Sequence, residues 1–184
     1  MNVLLLPGLY DSGPAHWQSR WEDIDPRAMR VVQDDWATPR CADWTARLSE
    51  VMRTFDDDVA LVGHSSSCAM VAHWTLRNET ELLARVIGAL LVAPSDPLAD
   101  AYPEGPSGFA PVPLHALPFP SIVVASDDDP YVSLDMAQSY ARAWGSRFEH
   151  IGSRGHVNGE SGLGEWMQGR EWLDAMCGGT DGRQ

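Results

Sequence analysis

The sequence predicts a three-layer α/β/α sandwich built on a mainly parallel sheet of about six strands. Three observations predict it. Short runs that are apolar throughout alternate with longer segments whose apolar residues recur at helical spacing. Strands of that kind are buried on both faces, which requires helices above and below a parallel sheet. The 184-residue chain, with 44% hydrophobic and 21% charged residues, is long enough for one sizeable core.

Asn2–Leu6 is the first strand, ended by Pro7-Gly8. Pro14–Trp21 reads as a helix with Pro14 in its first turn. Met29–Gln33 is the second strand. Trp44, Leu48, Val51, Met52 and Phe55 then mark one face of a helix. Val59–Val62 is the third strand, after the turn Asp56-Asp57-Asp58, and a helix runs from Ser66 to Leu76. Val86–Ala93 and Ser121–Ala125 are the fourth and fifth strands. Ser133 caps a helix that carries Ala137, Tyr140, Ala141 and Trp144 on one face. Phe148–Ile151 is the sixth strand, and a last helix holds Trp172, Leu173 and Met176. Residues 1–177 form a single domain on this reading, and 178–184 a frayed tail. The proline-dense segment from Pro94 to Pro120 keeps no period. It either covers a pocket or runs irregularly over the surface, and both alternatives stay open.

Composition excludes several function classes. The net charge of −13 repels phosphate backbones and anionic lipid, so neither nucleic acid nor a membrane surface is an expected partner. Met1 and Asn2 lead straight into a short apolar run, unlike a secretory signal, and no run approaches membrane-spanning length. Cys41, Cys68 and Cys177 are scattered and suit reduced thiols in a cytoplasm. No ligand spacing suggests a metal, and no cofactor is expected. The oligomeric state is not legible.

Chemistry enters at Gly63-His64-Ser65-Ser66-Ser67, between a predicted strand and a predicted helix. This is the context of a nucleophile elbow, where a serine sits on a tight turn and its neighbours at two residues' distance must be small. The alternative is a small-residue helix start with Ser65 or Ser66 as its cap. Counting from Gly63 selects Ser65 as nucleophile. Ser67 stands where the usual pattern has glycine. Cys68, inside the helix, reads as a packed thiol.

A serine nucleophile needs a base, and the base an orienting acid. His156, in the glycine-rich loop after the last strand, is the expected base. His150 is read as structural, His73 as directed away, and His64 as diverging from its neighbour Ser65. Asp129 is the expected acid, placed three residues before Val132 and fixed by Pro130. Asp127 and Asp128 read as turn residues and remain alternatives, with Asp96 outside them. The oxyanion donors are the backbone amides of Leu9 and Ser66. Gly8, Tyr10, His16 and Trp17 are expected around the substrate pocket. A strand order 2-1-3-4-5-6 would place the Gly8–Gly13 loop and Ser65 on either side of the crevice where the sheet reverses direction.

With these residues in place, the chain resembles the small serine hydrolases of the retinoblastoma-binding-protein-9 type over roughly residues 2–176. The resemblance rests on Leu6-Pro7-Gly8 with Gly13-Pro14 and His16-Trp17, and on Trp36 with Pro39 and Trp44. It extends through Gly63-His64-Ser65, Ala93-Pro94 and Asp128-Asp129-Pro130-Tyr131 to Gly155-His156-Val157-Asn158 with Glu160-Ser161-Gly162. It implies an α/β-hydrolase fold without a large cap and the triad Ser65, Asp129 and His156. It implies hydrolysis of a small ester or other acyl substrate through an acyl-enzyme. The family usually carries Leu-Gly where this chain has Ser66-Ser67. The rivals are acyl transfer on the same triad and a protein-binding module that keeps the fold.

Overall fold

The computed structural model describes residues 1–77 and 79–178. Six strands form one sheet, β1 (Asn2–Leu6), β2 (Ala28–Arg30), β3 (Val59–His64), β4 (Val86–Val92), β5 (Ser121–Ala125) and β6 (Arg147–His150). Their order is β2-β1-β3-β4-β5-β6 and every neighbouring pair is parallel. The expected strand order therefore holds, and β1 and β3 lie side by side where the connections change direction.

Successive strand residues point to opposite faces, so each strand feeds two cores. Leu4, Leu6, Val59, Leu61, Leu91 and Val123 pack beneath α2 (Cys41–Met52), α3 (Ser66–Trp74) and α5 (Leu134–Trp144). Val3, Leu5, Ala60, Val62, Leu90 and Ile122 pack on the other face against α1 (Trp17–Ile24) and α6 (Met167–Gly178). Two cores explain why the strand runs are apolar without alternation. The edge strands β2 and β6 contain no fully buried residue, and β6 carries Arg147 and Glu149, which oppose pairing with another chain. Gly88 lets α6 approach β4 closely: a Cβ there would lie 2.9 Å from Met176 Cε.

Several boundaries differ from the sequence reading. The first helix starts at Trp17 because His16 caps it, its Nδ1 accepting from the Gln18 amide at 3.1 Å, and Pro14 stays in the preceding turn. The second strand ends at Arg30 rather than Gln33. The third runs on to His64, and the sixth is displaced to Arg147–His150. The helix after Ser65 ends at Trp74 and tightens into a 3₁₀ turn over Thr75–Arg77. A short helix α4 (Thr80–Leu83) and a 3₁₀ turn over Gly159–Ser161 carry too few residues for a periodic signal. The tail expected to fray lies outside the described residues from 179 onward. Among the described residues no helix is long and apolar enough to cross a membrane, and no disulfide joins the three buried cysteines.

Candidate active site

The carboxyl end of β3 turns sharply into α3 at Ser65, whose backbone lies at φ 58° and ψ −126°. A side-chain-bearing residue in this region costs about 1–3 kcal/mol, so its surroundings must hold it there. The Ser65 amide donates to the Val92 carbonyl at 2.9 Å, and its carbonyl accepts from the Cys68 amide at 3.0 Å. Ser67 does not crowd this turn. Its hydroxyl donates to the Pro7 carbonyl at 2.6 Å, tying the elbow helix to the loop after β1. Serine, where the usual elbow pattern has glycine, thus adds a link between the helix and the neighbouring loop.

Asp129 follows β5 and His156 follows β6. The two Asp129 carboxylate oxygens lie 3.0 and 2.9 Å from His156 Nδ1, and His156 Nε2 lies 2.8 Å from Ser65 Oγ. The Asp129 side chain is 0% exposed, and the Tyr131 amide donates to it at 2.9 Å. An ionised carboxylate only accepts, so Nδ1 carries the proton and Nε2 offers its lone pair to the Ser65 hydroxyl. This arrangement can take a proton from Ser65 and return it to a departing group.

The competing aspartates have other partners. Asp128 accepts from the Gly155 amide at 2.7 Å and from Ser126 Oγ at 2.8 Å, and both bonds hold its carboxyl below the usual range. It is an exposed turn residue, as its spacing suggested, and it also braces the histidine loop through these bonds. Asp127 pairs with His150 at 2.7 Å on the surface. Asp96 accepts from the Leu98 amide and the Tyr140 hydroxyl.

A cavity of about 370 Å³ opens over Ser65 and is lined by Leu9, Tyr10, His16, Ser66 and His156 among others. Leu9 and Ser66 thus flank the nucleophile, as the oxyanion reading requires. The Ser66 amide is the first of its helix and has no intrahelical acceptor. Gly8 lies behind Ser65 rather than in the wall: a Cβ on it would sit 2.6 Å from Ser65 Cβ. Gly8→Ala should consequently push the nucleophile out of line with His156 and cost about a hundredfold in ester turnover. Steady-state assays, with circular dichroism to confirm folding, check this.

Trp17 corrects the pocket assignment. It is 1% exposed, and its Nε1–H donates to the Val157 carbonyl at 2.8 Å, so it supports the histidine loop from beneath. His16 does reach the cavity. Burial, then the charge of Arg30 and the neighbouring His156, lowers its pKa to about 3, which keeps it neutral.

One sequence reading is corrected at the site, and further residues there, Ser95 apart, carry no signal of their own in the sequence. His64 does not diverge from the site. Its Nε2–H donates to the His156 carbonyl at 2.9 Å, and burial holds its pKa well below the ordinary value. Tyr102 and Pro103 bring the proline-dense segment into the cavity wall, which settles that it covers a pocket. The Tyr102 and Ser66 hydroxyls are hydrogen-bonded at 2.9 Å. Ser95 and Tyr131 also line the cavity. The sequence signal for Ser95 was its place directly after the strand beside the elbow. His73 points away from the site and donates to the Phe109 carbonyl at 3.0 Å. Burial pushes the Cys68 thiol up, which leaves it a core residue. Among the described residues no cluster of three or more His, Cys, Asp or Glu side chains could hold a metal.

A parallel sheet in this order, with a strained serine after its third strand and a histidine after its last, defines the α/β-hydrolase class. The serine hydrolase family matches residues 3–175, and the chain belongs to that family. A YdeN-like hydrolase of Pectobacterium atrosepticum is 29% identical, with a TM-score of 0.82 over 96% of this chain and 90% of that one. The ydeN gene product of Bacillus subtilis is 19% identical, with a TM-score of 0.71 over 95% and 97%. Est1E of Butyrivibrio proteoclasticus shares the fold at 11% identity, with a TM-score of 0.67 over 95% and 88%. No curated protein matches the chain. The family resemblance read from the motifs is borne out.

Proposed function

We propose that the protein hydrolyses small esters through an acyl-enzyme on Ser65. The observation that carries this reading is the hydrogen-bonded series from Asp129 through His156 to Ser65, with spacings of 2.9 and 2.8 Å. His156 takes the Ser65 proton as Oγ attacks the acyl carbon, while Asp129 fixes the tautomer and stabilises the imidazolium. The Leu9 and Ser66 amides receive the oxyanion. His156 then protonates the leaving alcohol, and water repeats the sequence to release the acid. Among the described residues that line the cavity there is no lysine or arginine, which favours an uncharged acyl group over a carboxylate-bearing one. A structure of Est1E holds ferulic acid, a small aromatic acid, which is consistent with an ester of similar size here.

A fluorophosphonate probe tests the reading. The intact protein should gain one phosphonyl group on the peptide containing Ser65, and Ser66→Ala and Ser67→Ala should still be labelled. Absence of labelling in folded protein would favour a binding role without catalysis. Products from added alcohols beyond simple partition of the acyl-enzyme would instead indicate acyl transfer.

A further inference from the structure

The turn after β4 is strained in the same way as the elbow beside it. Ala93 lies at φ 49°, in the left-handed region, although it bears a Cβ. Strain of this kind concentrates at functional sites and persists only where neighbours enforce it. The Ala93 amide donates to the Val124 carbonyl at 2.8 Å and the Asp96 amide to the Tyr131 carbonyl at 3.0 Å. Between these two clamps sits Ser95, 3% exposed, with Oγ 2.8 Å from Ser65 Oγ. Two strained turns at the ends of adjacent parallel strands therefore bring two hydroxyls together.

The direction of that bond follows from counting protons. His156 Nδ1 faces both Asp129 oxygens, so Nε2 is the unprotonated nitrogen and must accept from Ser65. Ser65 has one hydroxyl proton, and it is committed to that bond. In the Ser65–Ser95 contact the donor is then Ser95. Ser65 Oγ gives one hydrogen bond and receives one, and keeps a lone pair for attack.

We propose that Ser95 is a further catalytic residue, whose hydroxyl donates to Ser65 Oγ. It holds that oxygen toward His156 and stabilises the negative charge that builds on it as its proton leaves. This rests on the hydrolase reading above. In acylation the Ser65 proton passes to Nε2, Oγ forms one bond to the acyl carbon, and the carbonyl π pair moves onto the carbonyl oxygen. Ser95 keeps its own proton throughout. It is separate from the oxyanion amides, because Leu9 follows β1 and Ser95 follows β4, on opposite sides of β3.

The second-order rate of phosphonylation by a fluorophosphonate reads this role directly, since it reports attack by Oγ. Ser95→Ala should lower that rate about ten- to a hundredfold, the worth of one hydrogen bond to a developing charge. Ser95→Cys, which fills the same space with a weak donor, should be slowed as Ser95→Ala is. Ser95→Thr, which keeps the hydroxyl, should recover most of the rate. Thermal midpoints and the KM for an activated ester should change little. A Ser95→Ala protein that reacts within about twofold of wild type overturns the proposal, as does a normal rate in Ser95→Cys, which would indicate packing alone. An unreactive wild type overturns the hydrolase reading as well, whereas an equally reactive Ser95→Ala overturns this proposal alone.

Discussion

Ser65→Ala should lower kcat/KM for an activated ester by about 10⁴- to 10⁶-fold, the range found when a triad serine is removed. His156→Ala should cost a similar factor, because its Nε2 is the proton acceptor 2.8 Å from Oγ. The informative measurement is the double variant. Nucleophile and base act as one unit, so Ser65→Ala with His156→Ala should be scarcely slower than either alone. Losses that multiply would mean the two residues act independently, against the proposed mechanism. The thermal midpoint of Ser65→Ala should change little, because alanine keeps the Cβ and leaves the turn at φ 58° as strained as before.

The fold was legible because its strands announce themselves. Leu4-Leu5-Leu6 and Leu61-Val62 are apolar without alternation, which only a doubly covered sheet explains, and the two opposing cores are the physical counterpart. Strand ends were less legible. Val31 continues the ladder by one bond to the Leu5 carbonyl at 2.9 Å, yet Val32 is exposed and the strand stops before Gln33. Apolar character alone cannot distinguish a strand residue from one that simply follows it. The first helix was placed three residues early because Pro14 resembles a first-turn proline. The actual cap is the His16 ring, and histidine is not among the usual capping residues.

Within the site, positions set by chain order were legible, while positions set by side-chain direction were not. Ser65 and His156 sit on loops at the carboxyl ends of strands, which spacing can identify. Trp17 is expected at the pocket, but neighbouring residues at a helix start face different ways and it turns into the core. His64 shows the reverse error. Its ring stays at the cavity and reaches the backbone of His156, a contact 92 residues away in sequence. Ser95 needed the register of β3 against β4, where His64 pairs with Val92, before the two turns could be seen to meet.

The acid is the assignment on which three adjacent aspartates compete, and single replacements should separate them. Asp129→Asn should lower kcat about 10⁴-fold, because a buried amide can present its NH₂ to Nδ1 and favour the tautomer with the proton on Nε2. The imidazole could then no longer accept from Ser65. Asp128→Asn retains an oxygen that can accept from the Gly155 amide and Ser126, so it should cost less than about tenfold. Asp127→Asn disturbs a surface pair with His150 whose side chains are each 44% exposed, and should leave turnover within about twofold. The ranking follows from burial as well as from contact. Asp129 has no exposed side-chain surface, so water cannot replace the bond it loses, whereas the Asp127 pair is open to solvent. Near-normal turnover in Asp129→Asn together with a collapse in Asp128→Asn would transfer the acid to Asp128. The bonds that Asp128 accepts from the Gly155 amide and Ser126 would then be what orients the histidine loop.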